Sequence, residues 1–215
     1  MYTGPKIIKV TADNPANEAI DNAATVIKAG GTVVFPTRNL YGLGVDAFNP
    51  TAVAGLFSIK RRSAQKPILI LINSIKQLEH LVIRVPGNAE KIMRRFWPGK
   101  VTLVFEADNS VSPELTGGSG KIGIRLPGHP AASALVSAVA GPITGTSANL
   151  SGSPGCHQIN DLEPEVADRV DLILDAGSLE GGQGSTVVDV TGGKIPVILR
   201  EGTISADQIK AAVGR

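Results

Sequence analysis

The apolar and polar positions of this chain switch repeatedly between two periods. Over residues 17–29, Ala19, Ile20, Ala23, Ala24 and Ile27 recur at helical spacing until Gly30-Gly31 stops them, which predicts an amphipathic helix. Short β-branched runs at 7–10 and 32–35 read as strands, the second closed by Pro36. Asn49-Pro50 places a cap before a proline and starts a helix that runs to about Lys60. A strand over 68–72, a short helix over 74–80 and a helix over 88–96 follow, the last closed by Trp97-Pro98-Gly99. Strands are predicted at 101–105 and 122–126, and a small-residue helix at 131–140. The last third continues the alternation, with a helix at 164–170 and strands at 172–174, 186–190 and 197–200. A helix over 206–213, capped by Ser205, ends it. Segments 37–44 and 60–67 read as loops. Residues 106–120, rich in Ser, Gly, Asp and Pro, read as a long exposed loop, either a lid or simply mobile. Strands and helices interleave without repeat or long linker. The expected fold class is therefore α/β: a single domain over 1–215, with a twisted, open, mixed sheet and helices on both faces.

Composition narrows the function. With 42% hydrophobic and 19% charged residues, the chain is globular rather than disordered. A formal net charge of +2 permits an anionic ligand without demanding a nucleic-acid polymer. Aromatics at 4% are too few for the stacking platform of a single-strand RNA binder. Cys156 is the only cysteine, and His80, His129 and His157 lack ligand spacing, so no internal disulfide and no protein-held metal site are expected. The longest aliphatic run, 68–72, is too short for a bilayer and no signal peptide opens the chain, so a cytoplasmic protein with no membrane partner is expected.

The candidate chemistry centres on residues 141–152, GPITGTSANLSG. A short apolar run there breaks into glycines, hydroxyls and one carboxamide, with many backbone amides to offer. Such a stretch suits polyanion oxygens, although a plain polar turn reads the same way. Gly184-Ser185-Thr186 is a second small hydroxyl turn before a strand. Basic residues stand at element ends: Lys60, Arg62 and Lys66 between a helix and a strand, Arg125 inside an apolar strand, and Arg200 after a run read as buried. A buried arginine needs a counter-charge, which is either an internal salt bridge or a shared anion held by guanidinium forks. Gly42-Leu43-Gly44-Val45-Asp46-Ala47 imitates a dinucleotide fingerprint but lacks the tight strand-turn-helix, and no phosphate loop of the G-x-x-x-x-G-K-[ST] type is present. Cys156 reads as incidental.

Several segments together are more specific than any one. They are 31–44 (GTVVFPTRNLYGLG), 59–70 (IKRRSAQKPILI), 97–104 (WPGKVTLV), 122–130 (IGIRLPGHP), 144–152 (TGTSANLSG), 185–189 (STVVD) and 198–202 (ILREG). In this order and spacing the chain resembles the YrdC-like family, and within it the short, single-domain form of the threonylcarbamoyl-AMP synthases. The family's K-x-R and S-x-N signature stands as Lys60-Arg61-Arg62 and Ser147-Ala148-Asn149. The resemblance implies a large basic cavity in which ATP, bicarbonate and L-threonine become threonylcarbamoyl-AMP and pyrophosphate. A separate transferase then carries the threonylcarbamoyl group to tRNA. It implies a catalytic set of Lys60, Arg62, Ser147 and Asn149, with Asn149 bracing the central loop. Around the ATP it implies Arg62, Lys66, Lys121, Ser147, Gly155 and Arg200, with Mg²⁺ accompanying the nucleotide. Toward L-threonine it implies Thr37, Asn39, Arg125, Gly145 and Ser185.

The sequence also departs from the family pattern P-T-[ED]-T-x-Y-G-L, having Arg38 at the acidic position and Asn39 at the second threonine. Leu71 stands where a histidine is usual, and Gly155 where an ATP-contacting serine is usual. Asn39 and Leu71 leave one alternative beside the synthase, a YrdC-like relative with an altered amino-acid or carbamate substrate; the basic residues of 60–66 with Arg94 and Arg95 leave another, a non-catalytic module binding tRNA or double-stranded RNA.

Overall fold

The computed structural model describes residues 4–11 and 14–214. In chain order the elements are β1 (Lys6–Lys9), α1 (Asn17–Lys28), β2 (Val33–Pro36), β3 (Tyr41–Gly44), α2 (Pro50–Ile59), β4 (Ile70–Leu71), α3 (Gly87–Phe96), β5 (Val101–Glu106), α4 (Pro113–Thr116) and β6 (Lys121–Arg125). Then come α5 (Pro130–Val139), β7 (Ile143–Thr144), β8 (Thr146–Ser147), α6 (Pro164–Ala167), β9 (Leu172–Asp175), β10 (Thr186–Asp189), β11 (Val197–Arg200) and α7 (Ala206–Val213). Ile75–His80 is a 3₁₀ turn capped by Ser74 rather than an α-helix.

The α/β class holds, with open mixed sheets. Among the described residues the strands form two hydrogen-bonded sheets, ordered β1-β9-β2-β3-β8 and β11-β10-β5-β6-β4-β7. The chain passes from one sheet to the other at Gly145, between β7 and β8. An isolated bridge between Asp46 and Ile143 and the bond from Thr144 N–H to the Val45 carbonyl (2.9 Å) tie the sheets at the same place. Alternation along β2 decides which helices go where. Val33 and Phe35 pack with α1 and α5, whereas Val34 joins the core beneath α2 and α3. Helices therefore cover both faces.

Three expectations are corrected. Residues 37–44 are not all loop, because Tyr41–Gly44 is β3, antiparallel to β2. Gly42 and Gly44, two apart, clear space for the Phe35 ring, since a Cβ on either would stand 2.8–2.9 Å from it. Glycine here reflects close packing inside a strand rather than a turn. Residues 106–120 are not an exposed lid: Val111 and Leu115 are buried, and the Leu115 carbonyl accepts from Ile68 N–H at 3.0 Å. Two apolar residues four apart suffice to anchor a segment that composition reads as loop. Finally, β11 is no buried run but the exposed edge of its sheet, with Val197 at 55% and Leu199 at 56% exposure.

Candidate active site

The glycine- and serine-rich stretch from β7 to β8 becomes the floor of a cavity of about 570 Å³ between the two sheets. The crossing is tight at Gly145, since a Cβ there would meet Leu71 Cγ at 2.7 Å and Leu69 Cδ1 at 2.8 Å. Downstream the loop is pinned from every side. Ser147 Oγ donates to Asn149 Oδ1, and Asn149 Nδ2 donates to the carbonyls of Leu150 (2.7 Å) and Ser153 (2.6 Å). The Leu150 and Ser151 amides donate to Glu163 Oε2 (2.5 Å) and to the Lys60 carbonyl (2.8 Å).

Lys60 sits underneath this loop. It follows α2, is 1% exposed, and its ammonium donates to the carbonyls of Ser147 (2.5 Å) and Asn149 (2.7 Å) and to Asn149 Oδ1 (3.4 Å). Three donors meet three acceptors. Burial, and then the charge of Arg62, lowers its pKa from 10.5 to about 8, against opposing pulls from Glu163 and Cys156.

The walls are cationic. Arg62, Lys121, Arg125 and Arg200 all line the cavity. Arg62 is shaped by its own loop, donating to the carbonyls of Lys66 (3.2 Å) and Pro67 (2.7 Å), and burial lowers its pKa. Lys121 meets Asp189 at 2.8 Å, the one carboxylate among the lining residues. Burial pushes Asp189 up, but bonds from Lys121 and Thr191 more than offset it and hold the carboxyl low. Arg200, exposed on the edge strand, donates from Nη2 to the Ser185 carbonyl at 2.7 Å. Arg125 makes no ion pair among the described residues, and its Nε is buried without a partner. Burial and the facing charge of Arg200 lower it to about 10, so it remains a cation at neutral pH. Among the described residues neither arginine is met by a carboxylate; Arg125 is left with a buried, unpartnered Nε, whereas Arg200 stands on the exposed edge.

The structure gathers Arg62, Lys121, Ser147, Gly155, Arg200, Thr37, Arg125, Gly145, Ser185 and Asn149 on this cavity. It does not bring in Lys60, which lies buried below the floor, or Lys66, which is exposed to solvent. Asn39 lines only an adjoining, smaller cavity, and its Nδ2 donates to the Gly181 carbonyl at 2.7 Å. Arg38 meets Glu180 at 3.5 Å, so both unusual residues of the 37–40 loop hold the 177–184 loop beside Ser185. Leu71 is fully buried against Gly145, supporting the floor from below. Sequence reasoning passed over Thr102 on β5, whose hydroxyl meets Ser185 Oγ at 2.8 Å inside the cavity wall, and Asp189 on β10. Both stand in the quoted segments, but alternation along a buried strand gives a threonine no signal of which face it takes.

The family model Sua5/YciO/YrdC, described as "Telomere recombination", matches residues 25–202. A relative from Mycobacterium tuberculosis (strain ATCC 25618 / H37Rv) is 39% identical over 198 residues, which is 92% of this chain and 90% of that protein. The threonylcarbamoyl-AMP synthase of Bacillus subtilis is 37% identical over 216 residues, covering 100% of this chain but 62% of the relative. The crystal structure of Pyrococcus abyssi Sua5 complexed with L-threonine superposes with a TM-score of 0.91 at 36% identity, over 97% of this chain and 61% of that one. The chain thus spans about three-fifths of the longer relatives and nearly all of the mycobacterial one. Sequence and backbone agree across almost every described element, and this chain belongs to the Sua5/YciO/YrdC family.

Proposed function

We propose that the chain is an L-threonylcarbamoyladenylate synthase, a nucleotidyltransferase that makes threonylcarbamoyl-AMP and pyrophosphate from ATP, bicarbonate and L-threonine for tRNA threonylcarbamoyladenosine modification. The observation that carries this reading is the convergence of Arg62, Lys121, Arg125 and Arg200 on one cavity holding a single carboxylate. Attack on an α-phosphate asks for positioning and charge neutralisation more than for a reactive side chain. The threonine amine and bicarbonate first give the carbamate with loss of water. A carbamate oxygen then bonds to the α-phosphorus of ATP, and the bond to the bridging oxygen breaks to release pyrophosphate. In this reading Arg62, Lys121 and Arg200 face phosphate oxygens, with the Ser147 hydroxyl and the open backbone at Gly155. Arg125 and Ser185 face the amino-acid carboxylate, Thr37 and Gly145 shape its pocket, and Lys60 and Asn149 hold the floor. Asn39 and Lys66 act from outside the cavity.

Mg²⁺ accompanies ATP in this reading. Asp189 is already engaged by Lys121 and Thr191, and among the described residues no cluster of three metal-ligating side chains exists. The residues therefore fit an ion carried on the triphosphate rather than one caged by the protein. A downstream tRNA threonylcarbamoyl transferase follows as partner, with weak tRNA or duplex-RNA contact through the same basic surface. No helix among the described residues is long and apolar enough to cross a membrane. A cytoplasmic location goes with the chemistry, because ATP and tRNA are there.

The deciding experiment is pyrophosphate release from ATP and Mg²⁺, with bicarbonate and L-threonine each left out in turn. Release that needs both, and is much weaker with L-serine, is expected. Release with another amino acid would make the chain a relative of changed specificity, consistent with Asn39 being spent on Gly181. ATP binding without any release would leave a binding module.

A further inference from the structure

The turn that opens α6 meets the site from behind. Leu162 and Val166 are buried in the core and fix it in place, and the Glu163 carbonyl accepts from the Val166 and Ala167 amides at 2.9 Å. Glu163 itself is half-buried, lines neither cavity and stands outside every segment that carries the family resemblance. Its Oε2 accepts at 2.5 Å from the amide of Leu150, the first residue after Ser147-Ala148-Asn149. The Ser151 amide, one residue further, donates to the Lys60 carbonyl at 2.8 Å. Floor loop, Lys60 and α6 are thus joined by consecutive backbone amides.

Charge follows the same route. The Lys60 ammonium is buried, its three bonds all end on uncharged oxygens, and it is in no ion pair among the described residues. A buried cation without an anion is costly. Three charged or titratable groups act on it: Arg62 on its own loop opposes its charge, while Glu163 ahead of α6 and Cys156 beyond the floor favour it. Burial pushes the Cys156 thiol up to about 11, with Asp161 and Glu163 adding to the rise, so the thiol is uncharged at neutral pH. The Glu163 carboxylate is left as the anion that answers Lys60.

We propose that Glu163 is a positioning residue of this site, acting in two separable ways: its carboxylate oxygen clamps the floor loop at Leu150, and its negative charge balances the buried Lys60 ammonium beneath Ser147 and Asn149. Glutamine separates the two, since its Oε1 still accepts from Leu150 but carries no charge. Glu165 supplies the contrast, because its carboxylate meets exposed Arg61 at 2.6 Å and is not among the charges that act on Lys60. A role in turnover rests on the synthase reading; the clamp and the charge do not.

The test needs no nucleotide. In the full, isotope-labelled chain, the Lys60 Cε and Nζ shifts are titrated through about pH 8, and Leu150 amide exchange is followed in parallel. Glu163→Gln is expected to lower the Lys60 midpoint by about half a pH unit and to speed Leu150 exchange by no more than about three-fold. Glu163→Ala should lower the midpoint as well and speed that exchange about ten-fold or more, because a charged acceptor is lost. Glu165→Gln should leave both readings as in the native chain. A Lys60 midpoint unmoved in Glu163→Gln, or moved as far by Glu165→Gln, would overturn the charge role. Unchanged Leu150 exchange in Glu163→Ala would overturn the clamp. In pyrophosphate release, Glu163→Ala should lower kcat several-fold, and Glu163→Gln should recover most of it at pH values below its lowered midpoint. Absent release in the native chain would sink the synthase reading while leaving the titration and exchange outcomes standing.

Discussion

Lys60 shows how a residue can serve a site without touching it. Its ammonium has three donors and the floor loop offers three acceptors, so the charge is held where water cannot reach it. Because burial lowers its pKa to about 8 from 10.5, the native protein binds fewer protons than the unfolded chain between those values. This group alone therefore makes folding stability rise with pH across that window. Nucleotide affinity should run the other way, since losing the proton removes a donor from the loop and a charge from beneath the phosphates. ATP affinity measured across this range is expected to fall through about pH 8 in the native chain. Arg62 holds that midpoint down, whereas Glu163 and Cys156 pull it up. In Lys60→Arg, always charged, the inflection should vanish, and an unchanged inflection would assign it to another group. Thr102 acts likewise through Ser185. Thr102→Val keeps the shape but orphans a buried hydroxyl, so it should cost about 1 kcal/mol in denaturant unfolding. It should also raise KM for the amino acid several-fold with little change in kcat. An unchanged KM would make the pair purely structural.

The elements differ in how far the sequence exposes them. Helix α1 was legible because its five buried positions fall on one helical face, and β2 because it opens on two valines and is buried throughout. The floor loop was legible as a place where backbone approaches something closely. What could not be read were features set by partners distant in sequence. Strand β3 exists because Phe35 lies over Gly42 and Gly44, and β11 is exposed because nothing pairs beyond it. The site was legible in its cations, since Arg125 and Arg200 interrupt strands. Lys60 and Lys66 look equally available in one dimension, yet one is buried and one is solvated. The turn after β11 gives an element-scale prediction. A Cβ at Gly202 would lie 2.2 Å from the Gly184 carbonyl oxygen and 2.7 Å from Ser185 C and Thr186 N, all backbone atoms that cannot swing aside. Gly202→Ala should destabilise the chain by about 1–3 kcal/mol or more. It should also loosen the β10–β11 seam that carries Arg200 and Ser185. Gly145→Ala meets only the flexible side chains of Leu69 and Leu71 and should cost less. Equal unfolding midpoints for the two variants would contradict this ranking.

At the scale of the molecule, the cavity is a joint. Ser147 stands on β8 in one sheet, and Lys121, Arg125 and Arg200 stand on β6 and β11 in the other. Nothing but the docked pair of sheets brings them together. A net charge of only +2 hides this, because the cations are concentrated where a single carboxylate answers them. Like charges around one space repel one another until an anion arrives; the pKa of Arg125 is lowered first by its burial and then by the charge of Arg200. A polyanion should therefore stabilise the whole chain, not just a loop. At ATP about one hundred times its Kd, linkage gives roughly 2.7 kcal/mol. For a chain of this size that is a rise in Tm of roughly 5–10 °C. Arg200 should contribute much of it despite its exposure, since it clasps Ser185 across the seam and faces the phosphates. Arg200→Gln is expected to weaken ATP about ten-fold, near 1.4 kcal/mol, and so to lose about half of the Tm rise at the same ATP concentration. Without ATP its Tm should match or slightly exceed the native value, because one like charge has gone. Added salt should shrink the native rise more than the residual one in the variant. A full Tm rise in Arg200→Gln would place the triphosphate away from β11, and an apo Tm well below native would make Arg200 a brace for the seam rather than a ligand for the anion.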